Sequence, residues 1–190
     1  MKLCRSKLAE HYKRTATVPT SVWSKTSPVD IHQIYTRLSL VKKQQNLAGS
    51  SQSQLCHYTH VFSANKDGVV PKRILVQRQT GIGKSTFVKK LAVDWAELDD
   101  EETGDKHKDS LKKFELVLVV NLKETSKCQS FRDVLRCCNI FPDEETALVE
   151  GLLSYITKNQ EKVLLVFDGY DEYRCGRNSD IYEIFRGKKL

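Results

Sequence analysis

The feature that most constrains the fold is a glycine-rich turn at residues 78–86, which reads RQTGIGKST. It follows the phosphate-binding pattern G-x-x-x-x-G-K-[ST]: the final G-K-[ST] falls on residues 83–85, and Arg78 stands where the pattern has its first glycine. Gly81 and Gly83 allow a close backbone wrap whose N–H groups point at an anion. Between a strand and a helix, such a turn predicts a site for ATP or GTP.

The residue types of this turn have separate roles toward a triphosphate. The ammonium of Lys84 can reach the β- and γ-phosphates, and the Ser85 hydroxyl can bind Mg²⁺. The N–H groups and dipole at the start of the following helix also favour an anion. Arg78 either crowds the turn or adds a phosphate contact, and the sequence leaves both interpretations open. The residues predicted to bind the nucleotide are Thr80, Gly81, Ile82, Gly83, Lys84, Ser85 and Thr86.

Apolar runs alternate with amphipathic stretches around the turn. Strands buried on both faces of a sheet are predicted at residues 73–77, 116–120 and 163–167. Helices are predicted in the intervening sequence at residues 84–97, 131–138 and 144–157. This alternation indicates an α/β P-loop NTPase fold with three layers and a mostly parallel sheet, so a chance glycine-rich turn is the weaker interpretation. Asp94, next to Trp95, is expected on the exposed side of its helix.

The third apolar run ends in an acidic turn, which supplies the second half of the predicted site. Asp168 ends the strand and is predicted to hold Mg²⁺ through water, together with Ser85. Asp171 and Glu172 follow it and are candidates to orient or deprotonate the attacking water. An acidic turn after a strand is usually only a turn, but its pairing with residues 80–86 predicts a nucleotide site.

Residues 1–70 are predicted to be a basic N-terminal extension in front of the nucleotide-binding part, residues 71–190. Residues 1–72 carry 11 Lys and Arg against 3 Asp and Glu, whereas residues 73–190 carry 20 against 21. Basic charge can attract nucleic acid or anionic lipid. No aromatic residues are interleaved with these charges, which favours a solvated linker and makes nucleic acid an unexpected partner.

Three elements are predicted within this extension. Residues 1–16 have the spacing of an amphipathic helix, residues 31–41 the alternation of a strand, and residues 44–54 the Ser and Gln content of an exposed loop. A Cys-His cluster at residues 56–60 could supply metal ligands, but it has no matching second half, so zinc is not predicted.

The compartment is inferred from what the sequence lacks. No apolar run approaches the ~20 residues that cross a bilayer, and residues 1–14 lack the apolar centre of a signal peptide. We therefore predict a cytoplasmic chain without a membrane span. Its six cysteines form no CxxC pair and are expected to be reduced thiols.

The two motifs together resemble those of a NACHT domain, the nucleotide switch of NOD-like immune receptors within the signal-transduction ATPases. The resemblance rests on residues 74–76 leading into residues 80–86, and on the acidic turn at residues 168–172. There a small residue, Gly169, follows the magnesium aspartate, where many related ATPases place a catalytic glutamate. Residues 29–40 also resemble the stretch that precedes NACHT modules.

The resemblance implies a switch that holds ADP in a closed state and ATP in an oligomerising state, with Mg²⁺ and slow hydrolysis. The implied partners are copies of itself or other NACHT proteins, in innate immune or cell-death signalling. It also implies that residues 71–190 are a partial NACHT domain in a fragment or truncated gene model. The family's next core strand lies between the strand before the turn and the strand that ends at Asp168, so a gap is expected at the centre of the sheet.

A rival hypothesis is a non-catalytic regulatory or decoy fragment that binds related receptors. Arg78 and the expected gap favour this rival, whereas Lys84, Ser85 and Asp168 favour the switch. Whether the chain hydrolyses ATP therefore stays open, with weak nucleoside-triphosphatase activity at most. A P-loop kinase or GTPase is less favoured, because no NKxD-like guanine-reading motif is found.

Overall fold

The computed structural model describes residues 1–18, 28–35, 40–46, 49–55, 57–65, 67–77, 81, 83–99, 108–125, 128–137, 146–171, 173 and 179–187. The α-helices in this part of the chain are α1 (Lys2–Arg14), α2 (Ile31–Ile34), α3 (Lys84–Ala96), α4 (Asp109–Lys112), α5 (Phe131–Cys137), α6 (Thr146–Lys158) and α7 (Asp180–Phe185). The strands are β1 (Thr17–Val18), β2 (Val29–Asp30), β3 (Val41–Asn46), β4 (Gly49–Gln54), β5 (Leu116–Asn121) and β6 (Val163–Asp168). Short 3₁₀ helices occupy Tyr58–Phe62 and Gln160–Lys162. None of the helices within these ranges is long and apolar enough to cross a bilayer.

The parallel pair β5–β6 is the sheet that positions the candidate site. Its register runs from Leu116 opposite Val163 to Asn121 opposite Asp168. Parallel neighbours need a long crossover, which here contains α5 and α6. The strands predicted at 116–120 and 163–167 and the helices predicted in between are confirmed where the chain is described. β5 is mostly buried, but β6 is only half-buried. The prediction that residues 163–167 form a strand buried on both faces was therefore wrong.

Residues 73–77 do not form the predicted buried strand. Ile74, Leu75 and Val76 are 41%, 70% and 38% exposed, and the segment belongs to none of the described strand pairs. An apolar run becomes a strand only when a neighbour supplies hydrogen-bond partners for its backbone. β6 pairs with β5 alone among the described strands, so no described strand fills the gap expected beside residues 73–77.

The N-terminal segment corrects two further predictions. The strand predicted over residues 31–41 begins instead as the helical turn α2, because the Asp30 carboxylate accepts the N–H of His32 at 2.7 Å and caps it. Residues 44–46 and 49–54, within the predicted loop, are instead strand residues of the antiparallel pair β3–β4, which pairs Val41 with Gln54 at one end. A two-stranded ribbon is held by main-chain groups that every non-proline residue carries, so Ser- and Gln-rich sequence can form one.

Helix α1, predicted at residues 1–16 and confirmed, packs against the nucleotide-binding part. The hydrophobic core includes Leu8 and Tyr12 from α1 together with residues of α3, β5 and α6, so it spans both sides of the predicted boundary at residue 70. The Tyr12 hydroxyl donates to the carbonyl of Val117 at 3.0 Å and accepts the N–H of Val119 at 3.1 Å. It thereby bonds the backbone groups of β5 that face away from β6.

A cluster of charged side chains surrounds Asp94, a buried residue of α3. Asp94 is only 2% exposed, which corrects its predicted place on the solvent side of the helix. Its carboxylate accepts hydrogen bonds from the Tyr58 hydroxyl and from Lys90, and Lys108 lies 3.2 Å away. Burial alone raises the pKa of Asp94, but the hydrogen bonds from Lys90 and Tyr58 and the charges of Lys90 and Lys108 outweigh it and hold that pKa below its usual range. A buried carboxylate with these partners stays ionised.

Candidate functional site

The candidate site lies at the carboxyl ends of β5 and β6. Asn121 and Asp168 end the two strands opposite each other, and the N–H of Leu122 donates to the carbonyl of Asp168 at 2.9 Å. This hydrogen bond extends the strand pairing past the last residue of β5. Loops at the carboxyl ends of parallel strands are where α/β folds bind ligands.

The glycine-rich turn leads directly into α3. Gly81 and Gly83 have φ values of 83° and 84°, in the left-handed region that glycine enters without strain. Gly83 is the residue before the helix, and its carbonyl accepts the N–H of Phe87 at 2.9 Å. Since glycine has no side chain to cap the helix, the N–H groups of the first turn are the natural donors for an anionic ligand.

One ion pair joins the two halves of the predicted site. The Lys84 ammonium lies 3.6 Å from Oδ2 of Asp171, with the side chains 29% and 58% exposed. Exposed pairs of this kind add little stability. Its importance is positional, because it places the cation of the turn beside the acidic segment that follows β6.

The remaining described candidates lie close to this pair along the chain. Ser85 is exposed on the first turn of α3, and Thr86 is half-buried with its Cβ near Gly83. Asp168 is half-buried at the end of β6. Gly169 has a φ of 83°, which suits glycine and turns the chain sharply after Asp168.

Arg78 and three residues of the predicted site lie outside the described part of the chain. The three are Thr80, Ile82 and Glu172. Their assigned roles, including the two alternatives for Arg78, therefore stay predictions.

The donor set fits a magnesium ion that is held mainly by its ligand and by water. Within the described residues, no group of three or more His, Cys, Asp or Glu side chains could hold a metal ion. Mg²⁺ in nucleotide sites uses one or two protein oxygens, several waters and the phosphates, rather than an all-protein cage. The Ser85 hydroxyl and the Asp168 carboxylate are oxygen donors of that kind.

The sequence did not predict the packing contacts that support the acidic turn. The ring of Phe185, in α7, contacts the rings of Phe167 and Tyr170 edge-on, at centroid distances of 5.0 and 4.9 Å. The guanidinium of Arg73 donates to the carbonyl of Phe185 at 3.3 Å. α7 thus lies between the segment before the glycine-rich turn and the segment after β6. A possible signal was Ser179, whose hydroxyl caps α7.

Comparison with known proteins agrees with the motifs. A family model described as the NACHT domain matches residues 72–183, more than half of the chain. The chain belongs to the NACHT family. NACHT domains are P-loop NTPase domains that bind nucleotides, so the chain carries a nucleotide-binding module of the kind found in NOD-like receptors.

Two curated proteins are similar to this NACHT chain. A protein of Danio rerio named "NACHT, LRR and PYD domains-containing protein 1 homolog" is 26% identical over 129 residues, which cover 67% of this chain and 9% of the relative. "Protein NLRC5" of Ictalurus punctatus is 27% identical over 103 residues, which cover 53% of this chain and 5% of the relative. The chain therefore matches less than a tenth of the length of either relative.

Proposed function

We propose that this chain is an ATP- and ADP-binding switch of the NACHT type, working in the cytoplasm as part of NOD-like receptor signalling. The observation that carries the proposal is the 3.6 Å contact between Lys84 and Asp171. A phosphate bound at the start of α3 competes with Asp171 for the same ammonium, so ligand binding and the position of the acidic turn are coupled. Such coupling is what a nucleotide switch requires.

The proposed roles follow the residue chemistry. Residues 80–86 wrap the phosphates, and Lys84 supplies the charge that favours them. Ser85 and Asp168 hold Mg²⁺, which supplies positive charge against the phosphate oxygens when bound. Asp171 and Glu172 orient water for a slow hydrolysis.

The wider proposal concerns fold and assembly. Residues 71–190 are the nucleotide-binding part, of the three-layer P-loop kind with a mostly parallel sheet, and residues 1–70 are its N-terminal extension. The output is assembly with copies of itself or with other NACHT proteins, in innate immune or cell-death signalling. Nucleic acid is not among the proposed partners.

A calorimetric titration with ATP, ADP and GTP, with and without Mg²⁺, tests the binding site. Lys84→Ala is expected to weaken ATP binding tenfold or more, because a charge-assisted contact is worth about 1.5–3 kcal/mol. Lys112→Ala is the matched control, since this exposed lysine pairs only locally with Asp109 at 2.7 Å. Equal ATP affinity in the Lys84 and Lys112 variants would remove the site assignment.

Binding and single-turnover experiments distinguish the roles of the three acidic residues. Asp168→Asn is expected to reduce only the Mg²⁺-dependent part of ATP affinity. Asp171→Asn keeps or tightens ATP binding, because it releases Lys84, but slows hydrolysis, as does Glu172→Gln. Unchanged single-turnover rates in both variants would exclude both acids as the base.

A second candidate function is a non-catalytic decoy that binds related receptors. It is favoured by the exposure of Ile74, Leu75 and Val76, an apolar run outside the described sheet. Association of the Leu75→Ser variant with a NACHT partner, measured with and without nucleotide, distinguishes the two functions. A decoy loses this association and keeps its nucleotide affinity. A switch whose assembly depends on ATP associates only when nucleotide is present.

A further inference from the structure

Two thiols outside the nucleotide site lie close together. The Sγ atoms of Cys128 and Cys137 are 3.0 Å apart, in a hydrogen bond for which either thiol could be the donor. Cys128 is buried and precedes α5, whereas Cys137 is the last residue of α5 and is exposed. One member of the pair is thus accessible from solvent and the other is held beside it.

We propose that Cys128 and Cys137 form a redox modification site, in which a peroxide converts the two thiols into an intramolecular disulfide. The Cys137 thiol loses its proton, and the thiolate attacks one oxygen of hydrogen peroxide. The O–O bond breaks, Cys137 becomes a sulfenic acid, and the departing hydroxide takes up that proton and leaves as water. The Cys128 sulfur then attacks the sulfur of Cys137 and the S–O bond breaks; the departing hydroxide takes the proton of the Cys128 thiol and leaves as a second water. The two sulfurs lose two electrons in total, and hydrogen peroxide gains them.

The difference in exposure between the two cysteines decides which of them reacts first. Oxidation begins at a solvent-accessible thiol, which here is Cys137. A sulfenic acid with no neighbouring thiol proceeds to irreversible forms, whereas a resolving cysteine traps it as a disulfide. Cys128 already lies at contact distance, so the second step needs little movement of the backbone. Cys4, which is buried in the hydrophobic core, is an internal standard that is expected to stay a thiol.

The segment that contains Cys128 is connected to the candidate site through α7. The carbonyl of Gln129 accepts the N–H of Asp180 at 3.0 Å, and the Asp180 carboxylate accepts the N–H of Phe131 at 2.8 Å. Asp180 begins α7, whose Phe185 contacts the rings of Phe167 and Tyr170 beside the acidic turn. A bond between Cys128 and Cys137 therefore restrains the segment on which the start of α7 depends.

Peptide mapping of the intact chain after treatment with hydrogen peroxide tests the proposal. Trypsin separates the two cysteines, because it releases residues 128–132 and residues 137–158 as different peptides. The expected product is a cross-link between these two peptides in the monomer band of a non-reducing gel, lighter than their sum by two hydrogen atoms. Dithiothreitol should reverse it. The melting temperature of the oxidised chain should be higher than that of the reduced chain.

Cys138 lies in the same peptide as Cys137 and provides the control. Cys138→Ser should keep the cross-link and Cys137→Ser should lose it; fragment ions of the wild-type cross-link assign the sulfur directly if either variant fails to fold. Three results would overturn the proposal: a cross-link that depends on Cys138, a bond within peptide 137–158, or oxidation to sulfinic acid without any cross-link.

Discussion

Gly83, the residue before α3, has a φ of 84°, a backbone conformation that costs an L-residue with a side chain about 1–2 kcal/mol. A Cβ at this position would come no closer than 3.9 Å to Thr86, so conformation rather than space requires glycine. Gly81 has the same property, since no described residue lies within 4 Å of an added Cβ. At both positions the backbone conformation is therefore what requires glycine.

Gly83→Ala is therefore expected to lower the free energy of unfolding by about 1–2 kcal/mol. Gly151→Ala is the matched control: this glycine lies within α6, its φ is not in the left-handed region, and an added Cβ meets nothing within 4 Å. Alanine there should raise stability by about 0.5–1 kcal/mol, because glycine is the poorer helix former. Urea denaturation of both variants gives the signs, and the same sign for both would contradict the backbone argument.

The buried carboxylate of Asp94 gives the fold a predictable dependence on pH. Because its pKa in the folded chain is depressed, its stabilising effect is complete above the ordinary pKa of an aspartate and is lost as the pH falls through the lower, folded value. Asp94→Asn should reduce the free energy of unfolding by about 3 kcal/mol at neutral pH, because Lys90 and Lys108 lose their buried partner. The loss should shrink in acid.

Asp109→Asn is the control for that measurement. Asp109 is exposed and pairs with Lys112 along one helix, so its replacement should change stability by less than about 0.5 kcal/mol. Denaturation curves of the two variants and the wild type from pH 7 to acid decide the matter. A loss at Asp94 that is independent of pH would show that the carboxylate contributes packing rather than charge.

At the scale of elements, α1 covers an edge of the sheet that a strand would otherwise occupy. The Tyr12 hydroxyl bonds both the carbonyl of Val117 and the N–H of Val119, which a neighbouring strand would normally satisfy. Arg5 adds hydrogen bonds to the carbonyls of Phe114 and Glu115, just before β5 begins. Side chains of one helix thus satisfy backbone groups just before the strand and in its middle.

Tyr12→Phe keeps the ring in the core and removes only the hydroxyl. It should lower the free energy of unfolding by about 1–3 kcal/mol, because the buried carbonyl of Val117 and the partly buried N–H of Val119 lose their partner. Hydrogen exchange at the amide of Val119 should become faster, while exchange at Leu122, whose N–H bonds the carbonyl of Asp168, should change only as much as global stability does. Uniform changes at both amides would show that the hydroxyl does not protect the strand edge.

The sequence predicted the elements that depend on local pattern. Its predictions failed where an element forms only with a partner elsewhere in the chain. β5, β6, α3, α5 and α6 follow from apolar periodicity, and the glycine-rich turn follows from residue types that can take positive φ. Residues 73–77 have the composition of a strand, but strand formation depends on a neighbour that local pattern does not contain. The two motifs predict that Lys84 and Asp171 belong to one site but not that they form an ion pair. The packing of Phe185 against Phe167 and Tyr170 has no periodic signal.

At the scale of the molecule, the N-terminal helix and the NACHT-matched region share one hydrophobic core. Leu8 is fully buried in it, as is Trp95 of α3. The guanidinium of Arg5 lies 4.8 Å from the centre of the Trp95 ring, and the indole N–H donates to the carbonyl of Phe114 at 2.9 Å. A contact surface of this kind makes the two parts unfold together rather than in sequence.

Leu8→Ala tests this cooperativity from the end of the chain farthest in sequence from the acidic turn. Removing a buried leucine side chain costs about 2–5 kcal/mol, and the whole loss should appear in the signal of α3. The measurement is tryptophan fluorescence during urea denaturation in a Trp23→Phe background, which leaves Trp95 as the sole tryptophan. Leu3→Ala, on the exposed side of the same helix, should leave the midpoint nearly unchanged. If Leu8→Ala lowers helicity by circular dichroism before any change in Trp95 emission, then α1 unfolds as a separate unit and the shared core does not make unfolding cooperative.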